Sequence, residues 1–404
     1  MNEQVIRRQT NSEVRQGAAV ASRGHSEEDW MAQAGPKSAG GILTIDLGAI
    51  RANYALLQQR LEGVACAAVV KADAYGLGAA QVAPALARSG CRHFFVAHLD
   101  EAIALRPRLP AQAEIFVLNG LPAGTEAICL AHQLTPVLNS LAEVDAWAGL
   151  ARDRGQKLPA ILQVDTGMSR LGFSRPELAT LADNPGRLNG IALRYIMSHL
   201  ACAEHQDSPM NTEQRDRFRR ACQALPLAPA SLANSSGIFL GPDFHFDLAR
   251  PGAALYGIAP VAGKPNPMQP VIRLQGRIIQ IREIEAGAAA GYGATWRAST
   301  PRRLATVSVG YADGFPRSLS NRGIGFAGGT PIPLAGMVSM DTTIFDVSEV
   351  PSEMLGPGDF IDLIGEHNPV DAVASRAGTI GYEILTSLGR RYHRHYVGSD
   401  EPGG

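Results

Sequence analysis

A lysine ends a short apolar run in this chain: Ala65-Cys66-Ala67-Ala68-Val69-Val70 leads straight into Lys71. A run of that length fits a buried strand rather than a helix, so it places an amine at a strand's carboxyl end. Burying that ammonium unpaired costs several kcal/mol. Three fates are open to it: water, a partner charge, or use as a nucleophile of depressed pKa. The residues that follow favour use, because Ala72-Asp73-Ala74 is compact and Tyr75 is flanked by Gly76 and Gly78, which let backbone approach a ligand closely. Further along, Asn234-Ser235-Ser236-Gly237 and Gly252 offer neutral donors of the kind that surround a bound anion. Taken alone, that stretch reads as an ordinary polar turn, and Arg250 as a structural ion pair.

Elements must bring these groups together, and the hydrophobic pattern supplies them. A strand is expected at Ile42-Leu43-Thr44-Ile45, then Asp46 as N-cap of a helix carrying Ile50, Tyr54, Leu57 and Leu61 on one side. Apolar strands then alternate with helical patterns through 65–70, 93–97, 114–118, 134–138, 160–164, 192–197, 230–233 and 244–248. About eight βα units in this length predict a (β/α)8 barrel, with an open doubly wound sheet as the alternative. Lys71, Asp165, Arg170, His199, Asn234, Ser235 and Arg250 all fall at or just beyond the carboxyl ends of these strands. That is the face on which a barrel carries its active site, often with an anion on the loops after strands seven and eight. At Gly263-Lys264-Pro265-Asn266-Pro267 the pattern changes to strands spaced by Gly, Pro and Asp turns. The expected organisation is therefore an extension over 1–40, a barrel over 41–266, and a mostly β domain over 267–404.

Composition narrows the partners. The 404 residues are 45% hydrophobic and 19% charged with a formal net charge of −1, which gives no electrostatic case for nucleic acid or an anionic membrane. No apolar stretch approaches the roughly 20 residues of a membrane-spanning helix. The five cysteines are odd in number, widely spaced and without a C-x-x-C, a poor disulfide framework and a poor metal site, so a reducing, cytoplasmic setting is expected. Residues 1–40 carry Arg7-Arg8 but no apolar segment after it, and read as a disordered extension rather than an export signal.

The ten residues Val69 to Gly78 resemble the signature of the alanine racemases, pyridoxal-phosphate enzymes built of a barrel plus a β domain. The resemblance implies that Lys71 carries the cofactor as a Schiff base and that Tyr75 helps hold its phosphate, with Asn234, Ser235 and Gly252 beside it. Ala249-Arg250-Pro251-Gly252 matches the stretch whose arginine faces the pyridine nitrogen. An always-charged, donor-only guanidinium there disfavours protonation of that nitrogen, weakens the electron sink and so suppresses transamination and decarboxylation. Val164 to Gly172 resembles the stretch whose arginine, here Arg170, binds substrate. Gln163 departs from the many members that carry a carbamylated lysine at this place.

In Ala290-Gly291-Tyr292-Gly293-Ala294-Thr295 the tyrosine matches the family's second base, polarised by residues matching His199 and Arg250. Tyr311 and the backbone of Met340 match positions that shape a small substrate pocket. Together these motifs imply interconversion of L- and D-alanine, with Lys71 and Tyr292 on opposite faces of the Cα. They also imply a head-to-tail homodimer in which each site takes its tyrosine from the partner. A racemase for another small amino acid and a non-catalytic cofactor carrier remain as alternative readings. The physiological direction, D-alanine supply for peptidoglycan or D-alanine breakdown, stays open at this level.

Overall fold

The structure, a computed structural model, describes residues 35–398. The reading of 1–40 as an extension falls for residues 1–34 outside the described residues. Residues 35–40 are tied down, because the Arg277 guanidinium donates to the carbonyls of Pro36 (2.8 Å) and Ala39 (2.8 Å).

The first strand, β1 (Gly41–Asp46), does not open the barrel as expected. It pairs antiparallel with β11 (Ile272–Ile284), Ile45 opposite Ile272, and parallel with β19 (His393–Val397), Ile42 opposite His393. The physical reason lies in its pattern: Leu43 and Ile45 are buried while Ile42 and Thr44 are half-exposed. That alternation suits a sheet with one solvated face, whereas barrel strands are covered on both. Helix α1 (Leu47–Arg60) follows as expected, with Asp46 Oδ1 accepting from the Ala49 amide at 2.9 Å and Ile50, Tyr54 and Leu57 facing inward.

Eight parallel barrel strands come next. The chain runs through β2 (Ala65–Cys66) and β3 (Ala68–Val69), which act as one strand with a break at Ala67, then β4 (His93–Val96), β5 (Glu114–Val117), β6 (Thr135–Leu138), β7 (Leu158–Gln163), β8 (Ile191–Met197) and β9 (Ala230–Ser231). From β3 to β9 each pairs with its successor in sequence. The last, β10 (Leu248–Ala249), closes the ring. The Asp247 and Arg250 amides donate to Ala230 and Ala233 on one side, and the Ala67 and Val69 amides donate to Ala249 and Pro251 on the other. A strand was expected over 244–248. Instead Pro242–Phe244 forms a 3-10 turn and Phe246, at φ 53°, makes only an isolated antiparallel bridge to Ser231, so the regular parallel strand begins at Leu248. Val69, Phe95, Phe116, Ile161, Met197 and Leu248 fill the barrel interior. Outside lie α2 (Ala79–Arg88), α3 (Leu99–Leu105), α4 (Glu126–Ala131), α5 (Leu141–Arg154), α6 (Arg175–Asp183) and α7 (Pro209–Ala224).

The C-terminal half is mostly β, as expected. Its main sheet runs β16 (Thr330–Pro333), β15 (Ile324–Ala327), β18 (Phe360–Ile364), β11, β1, β19, with β14 (Arg302–Val307) joining β11 to β17 (Thr343–Asp346). A small hairpin pairs β12 (Ala289–Ala290) with β13 (Trp296–Arg297). Two short helices were not anticipated, α8 (Val370–Ala377) and α9 (Gly381–Ser387). α9 packs against the turn after Lys71: a Cβ on Gly76 would meet the Leu385 carbonyl oxygen at 2.6 Å. β19 reaches the same turn, where Arg394 Nη1 donates to the Gly76 carbonyl at 2.6 Å and the Tyr396 hydroxyl to that of Leu77 at 3.0 Å.

Candidate active site

Strand β3 ends at Val69, and the Val70 amide is pinned to the Phe95 carbonyl at 2.8 Å. Beyond Lys71 the backbone does something unusual. Ala72, Asp73, Ala74 and Tyr75 all have φ between 52° and 57°, a left-handed turn made without glycine. Gly76 and Gly78, at φ 82° and 94°, carry it out of that conformation, and both are closely covered, by Leu385 and by the Tyr396 hydroxyl. The turn presents Lys71 and Tyr75 to a cavity of about 930 Å³ at the carboxyl ends of the barrel strands.

Residues far apart in sequence meet on the wall of this cavity. Lys71, Tyr75, Arg170, His199, Asn234, Ser235, Arg250 and Gly252 all border it, as does Gln163. On one side Ser235 Oγ accepts from the amides of Gly252 (3.0 Å) and Ala254 (3.1 Å), and Asn234 Oδ1 accepts from the Gly237 amide at 2.9 Å. The Tyr75 hydroxyl lies over Gly252 so closely that a Cβ there would sit 2.3 Å from it. Its ring lies tilted against that of Tyr256, centroids 4.7 Å apart, and meets the edge of Tyr382 at 6.4 Å. Burial pushes its phenol well above the ordinary range, so it stays a neutral donor. A hydroxyl pair and a backbone cradle that a methyl group would fill suit a bound phosphate.

Arg250 is a buried part of the cavity wall. Its guanidinium donates to Ser231 Oγ and, at 2.6 Å, to the Ser198 carbonyl. Burial pulls it down to about 9, which leaves it charged at neutral pH. Neighbouring His199 is held neutral, pushed down to about 3 by burial first and then by Arg250, Arg170 and Lys71. Lys71 is also lowered, chiefly by burial and then by Arg170, with Glu101 opposing. A lowered lysine is the form able to act as a nucleophile or base near neutrality.

Three expected site residues are elsewhere. Tyr292, Tyr311 and Met340 lie outside the cavity lining of their own chain and are 72%, 42% and 53% exposed. Conversely, the cavity gains Ile380, Tyr382 and Thr386 from the α9 region, and the pair Ser198 and Ser231 holds Arg250; no sequence reading singled these out. Glu101 was missed as well, although a glutamate three residues into a helix is a recognisable capping signal.

Comparison with known proteins agrees along nearly the whole described chain. Residues 45–260 match the alanine racemase N-terminal domain and 271–396 the alanine racemase C-terminal domain. A protein of Mesorhizobium japonicum named "Alanine racemase, catabolic" is 54% identical over 361 residues, 89% of this chain and 94% of its own length. An alanine racemase of Rhodospirillum rubrum is 51% identical over 364 residues, 90% and 97% of the two chains. Among solved structures, alanine racemase from Bartonella henselae, with covalently bound pyridoxal phosphate, superposes with a TM-score of 0.86 at 44% identity, covering 89% of this chain and 100% of that one. The biosynthetic alanine racemase of Pseudomonas aeruginosa gives 0.82 at 37%, covering 89% and 99%. With both domain models matched in order over a barrel whose carboxyl face gathers Lys71, Tyr75, Ser235 and Arg250, this chain belongs to the alanine racemase family.

Proposed function

We propose that the protein interconverts L- and D-alanine with pyridoxal 5'-phosphate, using Lys71 and Tyr292 as its two bases. The observation that carries this reading is the convergence on one cavity of a lysine of lowered pKa, a neutral hydroxyl cradle and a buried cation. Tyr75, Ser235, Asn234 and the Gly252 backbone would hold the phosphate, Arg250 would face the ring nitrogen, and Arg170 would receive the substrate carboxylate. When bound, the cofactor draws electron density from the substrate Cα and so acidifies its C–H. Lys71 Nζ holds or releases a proton on one face of that carbon, and the Tyr292 hydroxyl does so on the other. His199, neutral and beside Arg250, assists the phenol, whose ordinary pKa of about 10 needs a polarising neighbour. Tyr311 and the Met340 backbone shape the space around a small side chain. In this reading the chain divides into a barrel and a C-terminal β domain near 266, with β1 crossing into the second, and it acts in the cytoplasm.

The exposure of Tyr292, Tyr311 and Met340 supports a homodimer with shared sites, in which these residues complete the partner's cavity. Lys71→Ala and Tyr292→Phe variants, each inactive, test it when subunits are mixed and exchanged. Half the dimers of an equal mixture are mixed, and each carries one intact site, so about a quarter of the unsubstituted activity should return. No recovery, with mixed dimers confirmed by mass spectrometry, would sink the shared site. Enantiomers have equal free energy in water, so the site itself sets no direction of flux. Supply of D-alanine for peptidoglycan is one role; the catabolic names of the relatives from Mesorhizobium japonicum and Agrobacterium fabrum favour D-alanine breakdown as the second. Growth of a deletion strain separates them: dependence on added D-alanine supports supply, and failure to use alanine as a carbon source supports breakdown.

A further inference from the structure

The left-handed turn after Lys71 needs support from outside itself. Each L-residue in that conformation costs roughly 1–2 kcal/mol, and four stand in sequence. Some of its donors are satisfied nearby: Ala74 to the Val70 carbonyl at 2.9 Å, Gly76 to Ala72 at 2.7 Å, Gly78 to Asp73 at 2.9 Å. The Ala72 amide, next to the lysine, has a different partner. It donates to Glu101 Oε1 at 2.6 Å. The second oxygen of the same carboxylate accepts from the amides of Ala97 (2.7 Å) and His98 (3.1 Å), at the end of β4 and the start of α3.

We propose that Glu101 is a positioning residue for Lys71, its carboxylate locking the left-handed turn to the mouth of the neighbouring strand so that the amine stays aimed into the cavity. The geometry demands a carboxylate. Three N–H groups converge on its two oxygens, and an amide would offer one acceptor and turn two donors toward the remaining N–H. Its charge also opposes that of Arg170 at the lysine. A second glutamate shows what capping alone looks like: Glu143, at the start of α5, accepts from the Asn139 amide at 2.6 Å and has no bond to the lysine turn.

The proposal rests on Lys71 being the cofactor lysine, and the test separates the two. Glu101→Gln and Glu143→Gln are prepared as full-length, cofactor-loaded enzymes. Deuterium uptake by residues 70–78 should speed up at least about tenfold in Glu101→Gln and stay unchanged in Glu143→Gln. In Glu101→Gln kcat should fall roughly 10- to 100-fold with KM within about threefold, since small misplacement of a reacting group acts on the rate. Glu101→Asp keeps the charge but lacks the reach to serve both segments, so it should show the same exchange increase and covers the case in which the glutamine variant does not fold. Equal exchange at 70–78 in the Glu101 and Glu143 variants, or a kcat within threefold of the unsubstituted enzyme, would overturn the proposal. Retention of a reducible cofactor adduct by Lys71→Ala would overturn the lysine assignment, and the exchange result would stand apart from it.

Discussion

Gly252→Ala tests the phosphate cradle at a single atom. The new Cβ would stand 2.3 Å from the Tyr75 hydroxyl, 3.0 Å from Cζ and 3.3 Å from Cε2, where ordinary contact begins near 3.4 Å, so the hydroxyl must move by roughly 1 Å. The ring has little room to yield: Tyr256 packs tilted against it, itself held by a 2.9 Å bond to the Val69 carbonyl, and Tyr382 closes the edge. Displacing the hydroxyl removes one hydrogen bond to a charged group, about 1.5–3 kcal/mol, or roughly 10- to 150-fold in cofactor affinity. Absorbance titration of cofactor-free protein with pyridoxal phosphate measures this directly. A Kd within about threefold of the unsubstituted protein would refute the claim that Tyr75 and Gly252 jointly form the cradle.

Two further outcomes follow from charge placement. Arg391 donates to Asp313 at 2.5 Å and to Asp341 at 2.7 Å, while the buried Asp313 also accepts from the Gly310 amide, so this arginine ties together the loops bearing Tyr311 and Met340. Arg391→Ala should cost about 2 kcal/mol by leaving that carboxylate without its cation, seen as a lower urea midpoint; an unmoved midpoint would show the bridge contributes nothing. For His199, the folded value near 3 lies below the unfolded value near 6.5, so between them the unfolded chain binds more protons. Its contribution is whole above pH 6.5 and is lost as pH falls toward 3. Solvent in the cavity discounts its size. Cofactor-free His199→Asn should therefore lose thermal stability less steeply than the unsubstituted protein over that window, and parallel profiles would refute a neutral imidazole in the folded protein.

What the sequence determined is what short-range pattern carries. A continuous apolar run ending in Lys71 gave a barrel strand with an amine at its mouth; the Asp46 cap and the 3.6-residue spacing of Ile50, Tyr54 and Leu57 gave α1; the change of rhythm near 263 gave the second, β-rich half. What it could not determine is partnership. β1 has the composition of any half-buried strand, and only pairing with β11 and β19 assigns it to the second sheet, because a strand's partners lie hundreds of residues away. The same holds for Glu101 reaching across to Ala72, for Ser198 and Ser231 beneath Arg250, and for α9 closing on Gly76. The left-handed turn is the sharpest case. Ala72 and Ala74 have no local preference for positive φ, and it is tertiary contacts, not their own chemistry, that hold them there and so aim the lysine.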